Sequence, residues 1–163
     1  MDLFYLKAAT FVQTELPSNE YLHAVSVAHY VQQRMTADGA NDQAVSFVSG
    51  LALLHDYLEN RGVSLVDQDQ KLKEFLISQS WVLEASGFPL IDTEEILERL
   101  TRRKGEDYGD YIKRCIKGCS FSNTARYAYI IKQADMKDHF SREKTLTDKL
   151  RQKYEPYLKY FLE

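Results

Sequence analysis

The stretch from Leu51 to Asn60 reads LALLHDYLEN, and the interpretation of the rest of the chain depends on it. Its first half is apolar and predicts a helix buried in a core. Its second half carries His55 and Asp56 side by side, followed by Glu59 and Asn60. Because residues four apart share a face of a helix, a continuous helix would pair His55 with Glu59. It would likewise pair Asp56 with Asn60. A buried carboxylate beside an imidazole needs a partner, and a divalent metal ion would serve as one.

Length, composition and charge favour a single globular domain. The chain has 163 residues, of which 44% are hydrophobic and 28% charged, so it can bury a sizeable core. A formal net charge of −3 argues against a protein that binds polymeric nucleic acid. We expect no membrane span, because no run of about eighteen apolar residues occurs, and the N-terminal sequence does not resemble a signal peptide. The two cysteines, Cys115 and Cys119, are too few for a zinc cluster. This low cysteine content favours a reduced intracellular protein, and we expect it in the cytoplasm.

Hydrophobic periodicity predicts helices along the whole chain and no strand of convincing length. The predicted helices cover about 2–15, 20–35, 43–60, 69–79, 80–86, 92–101, 107–117, 122–140 and 142–162. We therefore expect an all-α fold, a compact single-domain helical bundle of eight or nine helices.

Local signals predict where several helices begin and which faces they bury. The predicted N-caps are polar residues ahead of a helical run: Ser18, Asp92 (with Glu95 in a capping box), Ser120 or Ser122, and Ser141. Leu3 and Leu6 are predicted to track the buried face of the first helix, and Trp81 to lie in the core.

Two further polar residues stand where the pattern requires core. His23 shares an apolar face with Val27, and Asp135 interrupts a largely apolar helix. With His55 and Asp56 they would supply two imidazoles and two carboxylates. That mixed nitrogen and oxygen donor set suits Mn²⁺, Fe²⁺ or Zn²⁺.

Each of these two residues also has an interpretation without a metal. A histidine on an apolar face is often a hydrogen-bonded core residue, which would describe His23. Asp135 could form a buried ion pair with Lys132, one turn earlier on the same helix. Both alternatives stay open, because the sequence does not show whether the helices meet.

Four segments lie in an order that is typical of one enzyme family: HAVSVA at 23–28, ALLHDYLEN at 52–60, LTRRKGEDYGDYI at 100–112 and IKQADMKDH at 131–139. Through them the chain resembles the HD-domain metal-dependent phosphohydrolases. Within that family it is most similar to the hydrolase domain of the RelA/SpoT type, which removes the 3′-pyrophosphate from guanosine tetra- and pentaphosphate. The resemblance implies an HD-domain fold and a divalent metal, typically Mn²⁺. The implied ligands are His23, His55, Asp56 and Asp135.

The resemblance also implies residues that position the attacking water. Glu59 and Asn60 occupy the positions of the family's Glu-Asp pair and are therefore the predicted catalytic residues. Asparagine can orient a water by hydrogen bonding, although it cannot accept a proton as a carboxylate can. His139 stands where the family tends to have asparagine.

Several residues could hold a phosphate or a base near such a metal. The basic run that follows the predicted helix over 92–101 offers guanidinium and ammonium groups. Aromatic residues of the next predicted helix, over 107–117, could stack on a base. The predicted substrate-binding residues are Arg102, Arg103, Lys104, Tyr108, Lys132 and His139. The alternatives are a solvated basic loop beside a helix C-terminus and core packing of the tyrosines, which we expect for Tyr111.

We therefore expect a metal-dependent phosphohydrolase that acts on a nucleotide or another phosphorylated small molecule. Guanosine 3′,5′-bis(pyrophosphate) 3′-pyrophosphohydrolase activity comes first, and a nucleotidase or other phosphoester hydrolase second. An alternative of another class is a non-catalytic nucleotide-binding or regulatory domain. Tyr154, Tyr157 and Tyr160 are expected to cover the bundle or to form a contact between copies in a homo-oligomer.

Overall fold

The computed structural model describes residues 3–142 and 146–162, and within these ranges it contains helices and their connections but no strand. The elements are α1 (Leu3–Glu15), α2 (Ser18–Ala37), α3 (Asp42–Leu54), α4 (Tyr57–Asn60), a 3-10 helix (Val66–Gln68), α5 (Gln70–Ala85), α6 (Leu90–Leu100), α7 (Tyr108–Ile116), α8 (Asn123–Ser141), α9 (Asp148–Tyr154) and a second 3-10 helix (Glu155–Phe161). The predicted all-α class is confirmed. None of the described helices combines the length and apolar character that crossing a bilayer requires.

Helix α3 lies at the centre of the fold. Every residue from Ala44 to Leu54 is buried, as expected for a helix that is apolar all round. Helices α1 and α2 pack against it, and α8 packs against α2, α3, α6 and α7. The end of α3, where His55 and Asp56 follow, is therefore enclosed by other helices.

The predicted buried face of α1 is wrong by one residue. Phe4 and Ala8 are buried, whereas Leu3 and Leu6 are 45% and 53% exposed. The ring of Phe4 fills the space above Gly50 of α3, where a Cβ atom would lie 2.6 Å from ring atom Cε2. This close approach of two helices, which only glycine allows, decides which face of α1 turns inward.

The predicted continuous helix over 43–60 is wrong, because the chain departs from the α-helix at His55 and Asp56. The Nδ1–H group of His55 donates to the carbonyl oxygen of Ala52 at 2.6 Å, and the backbone N–H of His55 donates to the same oxygen at 3.3 Å. An α-helix would use that carbonyl for the N–H of Asp56. The interruption brings Nε2 of His55 within 3.2 Å of Oδ2 of Asp56, side chains that a regular helix would point about 100° apart.

The two helices predicted over 69–79 and 80–86 form one helix, α5. Trp81 was predicted to lie in the core, but it is 69% exposed. The buried face of α5 carries Leu76 and Leu83 instead, at a spacing of seven residues, which is two helical turns. Trp81 lies on the outer face, and its prediction is wrong.

Prolines explain two of the predicted N-caps that are wrong. Helix α2 begins at Ser18 directly after Pro17, and α6 begins at Leu90 directly after Pro89. Each proline has extended backbone, with ψ near 153°, so the helix begins at the next residue. Asp92 consequently lies inside the first turn of α6 and makes no cap.

Serine caps α8 as predicted, but the C-terminal helix differs from its prediction. Ser122 accepts a hydrogen bond from the backbone N–H of Ala125, which confirms this residue of the two proposed. Ser141 is the last residue of α8 rather than a cap, and Thr147 caps α9. The predicted helix over 142–162 is wrong in its second half, which forms the 3-10 helix around Pro156, and its residues 143–145 lie outside the described ranges.

Candidate metal centre

The fold brings the four predicted ligands together from α2, the junction of α3 with α4, and α8. One ligand-type atom from each of His23, His55, Asp56 and Asp135 lies within 4.8 Å of the others. The side chains of His55 and Asp135 are 2% exposed, whereas that of Asp56 is 34% exposed. The cluster is therefore closed by the core on one side and reaches solvent at Asp56.

Both imidazole rings are held so that Nε2 faces the cluster. The Nδ1–H group of His23 donates to Oδ2 of Asp138 at 2.6 Å, and that of His55 donates to the carbonyl oxygen of Ala52 at 2.6 Å. A carboxylate or a backbone carbonyl on the far nitrogen is the usual arrangement of a histidine that ligates a metal through its other nitrogen. The orientation of both rings thus fits a metal centre.

His55 supplies the most direct test of that fit. Its Nε2 atom is buried and makes no hydrogen bond with any described residue. Oxygen atoms of Asp56 and Asp135 lie 3.2 and 3.4 Å away, but neither is placed to form a hydrogen bond with it. Two carboxylates thus face a buried nitrogen without completing a hydrogen bond to it, and a divalent cation between these groups would bind all three.

The cluster carries more negative charge than its neutral imidazoles can balance. Burial lowers the pKa of His55, but Asp56 and Asp135 outweigh it and raise the pKa to about 9. Burial also opposes protonation of His23, yet Asp135, Asp138 and Asp56 raise its pKa to about 11. Protons thus occupy the histidines when no cation is bound, and a divalent ion would replace them.

Asp135 contacts most of the cluster. Its Oδ1 atom lies 3.0 Å from Nε2 of His23, 3.4 Å from that of His55 and 3.1 Å from that of His139. Its Oδ2 atom accepts a hydrogen bond from the ammonium of Lys132 at 2.6 Å. Burial would raise the pKa of Asp135, but Lys132 and the histidines hold it well below its usual range. Asp135 therefore forms the ion pair with Lys132 and also contacts the predicted ligands His23 and His55, so the two interpretations of this residue do not exclude each other.

Asp138 belongs to the site and was missed by the sequence reasoning. Its Oδ2 atom accepts from His23 and also from Nε of Arg142 at 2.7 Å, and the residue is 2% exposed. Asp138 lies in a polar run near the end of α8, so burial was not expected there. The available signal was its position three residues after Asp135, on the same helical face.

The two predicted catalytic residues have partners outside the cluster. Oε1 of Glu59 accepts a hydrogen bond from the backbone N–H of Arg102 at 2.9 Å. The amide of Asn60 donates to Glu20 of α2 at 3.2 Å. The backbone N–H of Asn60 donates to the carbonyl oxygen of Asp56 at 2.9 Å, so these two residues keep the helical spacing that the sequence predicts. A water-positioning role for Glu59 and Asn60 stays a prediction.

The basic run divides between the site and the solvent. Arg102 is half-buried, and its Nε donates to the carbonyl oxygen of Glu106 at 2.9 Å. Arg102 and Lys104 line, with Glu59, a cleft of about 580 Å³. Arg103 is exposed, its backbone N–H donates to Oε1 of Glu106, and its carbonyl oxygen accepts from the backbone N–H of Glu106.

Tyr108 and Tyr111 are both buried in the structure. Tyr111 packs in the core and donates its hydroxyl to the carbonyl oxygen of Leu100, which confirms its predicted packing role. Tyr108 lies in an aromatic cluster with Tyr111, Tyr154 and Tyr157, at ring distances of 5.2–5.8 Å. His139 also joins this cluster, because its ring stacks on Tyr154 at 4.9 Å.

No protein-family model matches the chain, and no curated protein or solved structure does so either.

Proposed function

We propose that this protein is a metal-dependent phosphohydrolase of the HD-domain type that acts on a nucleotide. The observation that carries the proposal is the convergence of His23, His55, Asp56 and Asp135, with His55 Nε2 buried and without a hydrogen-bond partner among the described residues. These four residues would hold a divalent ion, with Mn²⁺ first and Fe²⁺ or Zn²⁺ as alternatives. When bound, the ion would polarise a phosphoryl oxygen and lower the pKa of a water.

The chain's own residues would divide the remaining work. Asp138 and the carbonyl of Ala52 keep both imidazoles oriented toward the cluster. The exposed third of the Asp56 side chain marks the side from which substrate enters. Arg102 and Lys104, in the cleft that Glu59 also lines, would hold phosphate oxygens, and Glu59 would orient the attacking water.

Within this class, the resemblance favours removal of the 3′-pyrophosphate from guanosine 3′,5′-bis(pyrophosphate), and a nucleotidase or other phosphoester hydrolase follows. A second candidate is a non-catalytic domain that binds a nucleotide and uses the metal for structure or sensing. It is favoured by Asn60, which stands where the family has a carboxylate and whose amide is engaged by Glu20.

Phosphate release across a nucleotide panel tests the function. EDTA-treated protein reloaded with Mn²⁺ would be incubated with guanosine tetraphosphate and with nucleoside mono-, di- and triphosphates. We expect hydrolysis that Asp56→Ala abolishes and that Asp67→Ala, at a carboxylate 74% exposed, leaves unchanged. Pyrophosphate release from guanosine tetraphosphate alone would support the first substrate, and phosphate release from monophosphates would support a nucleotidase. Tight nucleotide binding without turnover would instead favour the non-catalytic domain.

A further inference from the structure

Two cations lie over the ring of Tyr108. The guanidinium carbon of Arg102 lies 5.6 Å from the ring centroid, and Nζ of Lys153 lies 4.8 Å from it. Lys153 also lies 5.4 Å from the centroid of Tyr154. Across the described residues, neither cation forms an ion pair with an acidic side chain. Attraction to a ring face holds each of them in place, but it does not neutralise them.

The two positive charges are close enough to disfavour one another. Burial lowers the pKa of Lys153, and the charge of Arg102 lowers it further. Both side chains are half-buried, so water screens this repulsion less than it would on an open surface. A bound anion would remove the repulsion.

The cation pair adjoins the candidate metal centre on two sides. Tyr154, the neighbour of Lys153, stacks on His139, whose Nε2 lies 3.1 Å from Oδ1 of Asp135. On the other side, the backbone N–H of Arg102 donates to Glu59, three residues after Asp56. Arg102 also lines the cleft of about 580 Å³, so a ligand has room beside it.

We infer that Arg102 and Lys153 together form a binding site for a phosphate-type dianion carried by the ligand of this protein. A guanidinium fork matches two phosphate oxygens, and an ammonium adds a point charge. Two cations favour a dianion over a singly charged carboxylate. That the anion belongs to the substrate rests on the function proposed above, whereas anion binding itself does not require the metal.

Titration of the EDTA-treated full chain with inorganic pyrophosphate tests the site. Because charge-assisted hydrogen bonds are lost, Lys153→Met is expected to weaken pyrophosphate binding at least about tenfold, while Lys153→Arg retains most of it. Lys159→Met is the matched control, because Lys159 lies in the 3-10 helix that follows α9 and its Nζ likewise lies near an aromatic ring, 5.4 Å from the centroid of Tyr160. Acetate is expected to bind far more weakly than pyrophosphate.

The outcomes separate this inference from the proposed hydrolysis. Pyrophosphate binding that depends on Lys153 supports the anion site even if no nucleotide is hydrolysed, and the proposed function alone would then fail. Equal affinity in the parent protein and Lys153→Met would overturn the anion site even if hydrolysis occurs. An equal loss in Lys159→Met would also overturn it, since general charge would then explain the binding.

Discussion

Nε2 of His23 lies 3.0 Å from Oδ1 of Asp135, although 112 positions of the sequence separate the two residues. The contact joins α2 to α8 across the end of α3. It places a histidine and an aspartate, each of which looked misplaced on an apolar helix face, at one point. The metal hypothesis depends on this meeting of helices.

Removing the charge of Asp138 should weaken metal binding. In Asp138→Asn, the amide oxygen can still accept from His23, but the negative charge that makes the imidazole a better ligand is lost. We expect the dissociation constant for Mn²⁺, measured by calorimetry, to rise about 10- to 100-fold. Asp110→Asn, at an exposed carboxylate of α7, should leave it unchanged. If urea unfolding of the metal-free variant shows lost stability but Mn²⁺ affinity is intact, Asp138 has only a structural role.

Replacing Lys132 should make the protein more dependent on metal. Lys132→Met removes the ammonium that pairs with Oδ2 of Asp135, leaving a buried carboxylate short of positive charge. The free energy of unfolding without metal should fall by about 3 kcal/mol. Mn²⁺ should then restore more stability to the variant than it adds to the parent, because no ammonium competes for the carboxylate. Thermal unfolding with and without Mn²⁺ measures this, with Lys137→Met on the exposed face of α8 as control; an equal gain in both proteins would contradict it.

The contact between α1 and α3 should not tolerate a methyl group at Gly50. Although alanine favours a helix by up to about 1 kcal/mol, its Cβ would lie 2.6 Å from the buried ring of Phe4. We expect Gly50→Ala to lower the free energy of unfolding by about 1–3 kcal/mol in urea titrations. In a Phe4→Leu background the same change should cost less, because the ring is gone. An unchanged cost there would show that Phe4 is not the cause.

The contribution of Glu106 to the free energy of unfolding should depend on pH. Arg114 donates to both carboxylate oxygens, at 2.8 and 2.9 Å, and lowers the pKa of Glu106 from 4.5 to about 2. A depressed carboxylate pKa stabilises the fold above pH 4.5, and this contribution is lost as the pH falls toward 2. The free energy of unfolding of the parent should therefore exceed that of Glu106→Gln by about 3 kcal/mol at pH 7. The difference should shrink as the pH falls from 4.5 toward 2. A gap that stays constant in urea titrations from pH 7 to pH 3 would contradict the cause given.

The helical class and the four candidate ligands could be predicted because both leave local signals, whereas the meeting of their helices was implied only by the family resemblance. Apolar periodicity indicates helices, and a histidine or aspartate inside such a pattern is conspicuous, as with His23 and Asp135. The break at His55 could not be predicted, since it depends on a side-chain hydrogen bond to Ala52 that the apolar pattern does not show. It is this break that turns Asp56 toward the cluster.

Other parts of the site depend on how helices far apart in sequence pack. Asp138 and Lys153 lie in charged stretches that look solvated. The packing of α2 against α8 gives Asp138 its partner His23, and the packing of α9 against α7 places Lys153 over the ring of Tyr108. Trp81 shows the opposite error, because a large apolar residue lies on the outer face of α5. A sequence pattern reports only how hydrophobic each residue is, whereas the burial of a residue depends on which other helices pack against it.

Metal binding to the EDTA-treated protein tests whether the cluster of His23, His55, Asp56 and Asp135 is a metal site. We predict that calorimetric titration with Mn²⁺ gives one ion per chain in the parent and none in Asp56→Ala, with both proteins equally helical by circular dichroism. A folded parent protein that binds no divalent ion would rule out the metal site, and so would an Asp56→Ala variant that binds the ion as tightly as the parent does.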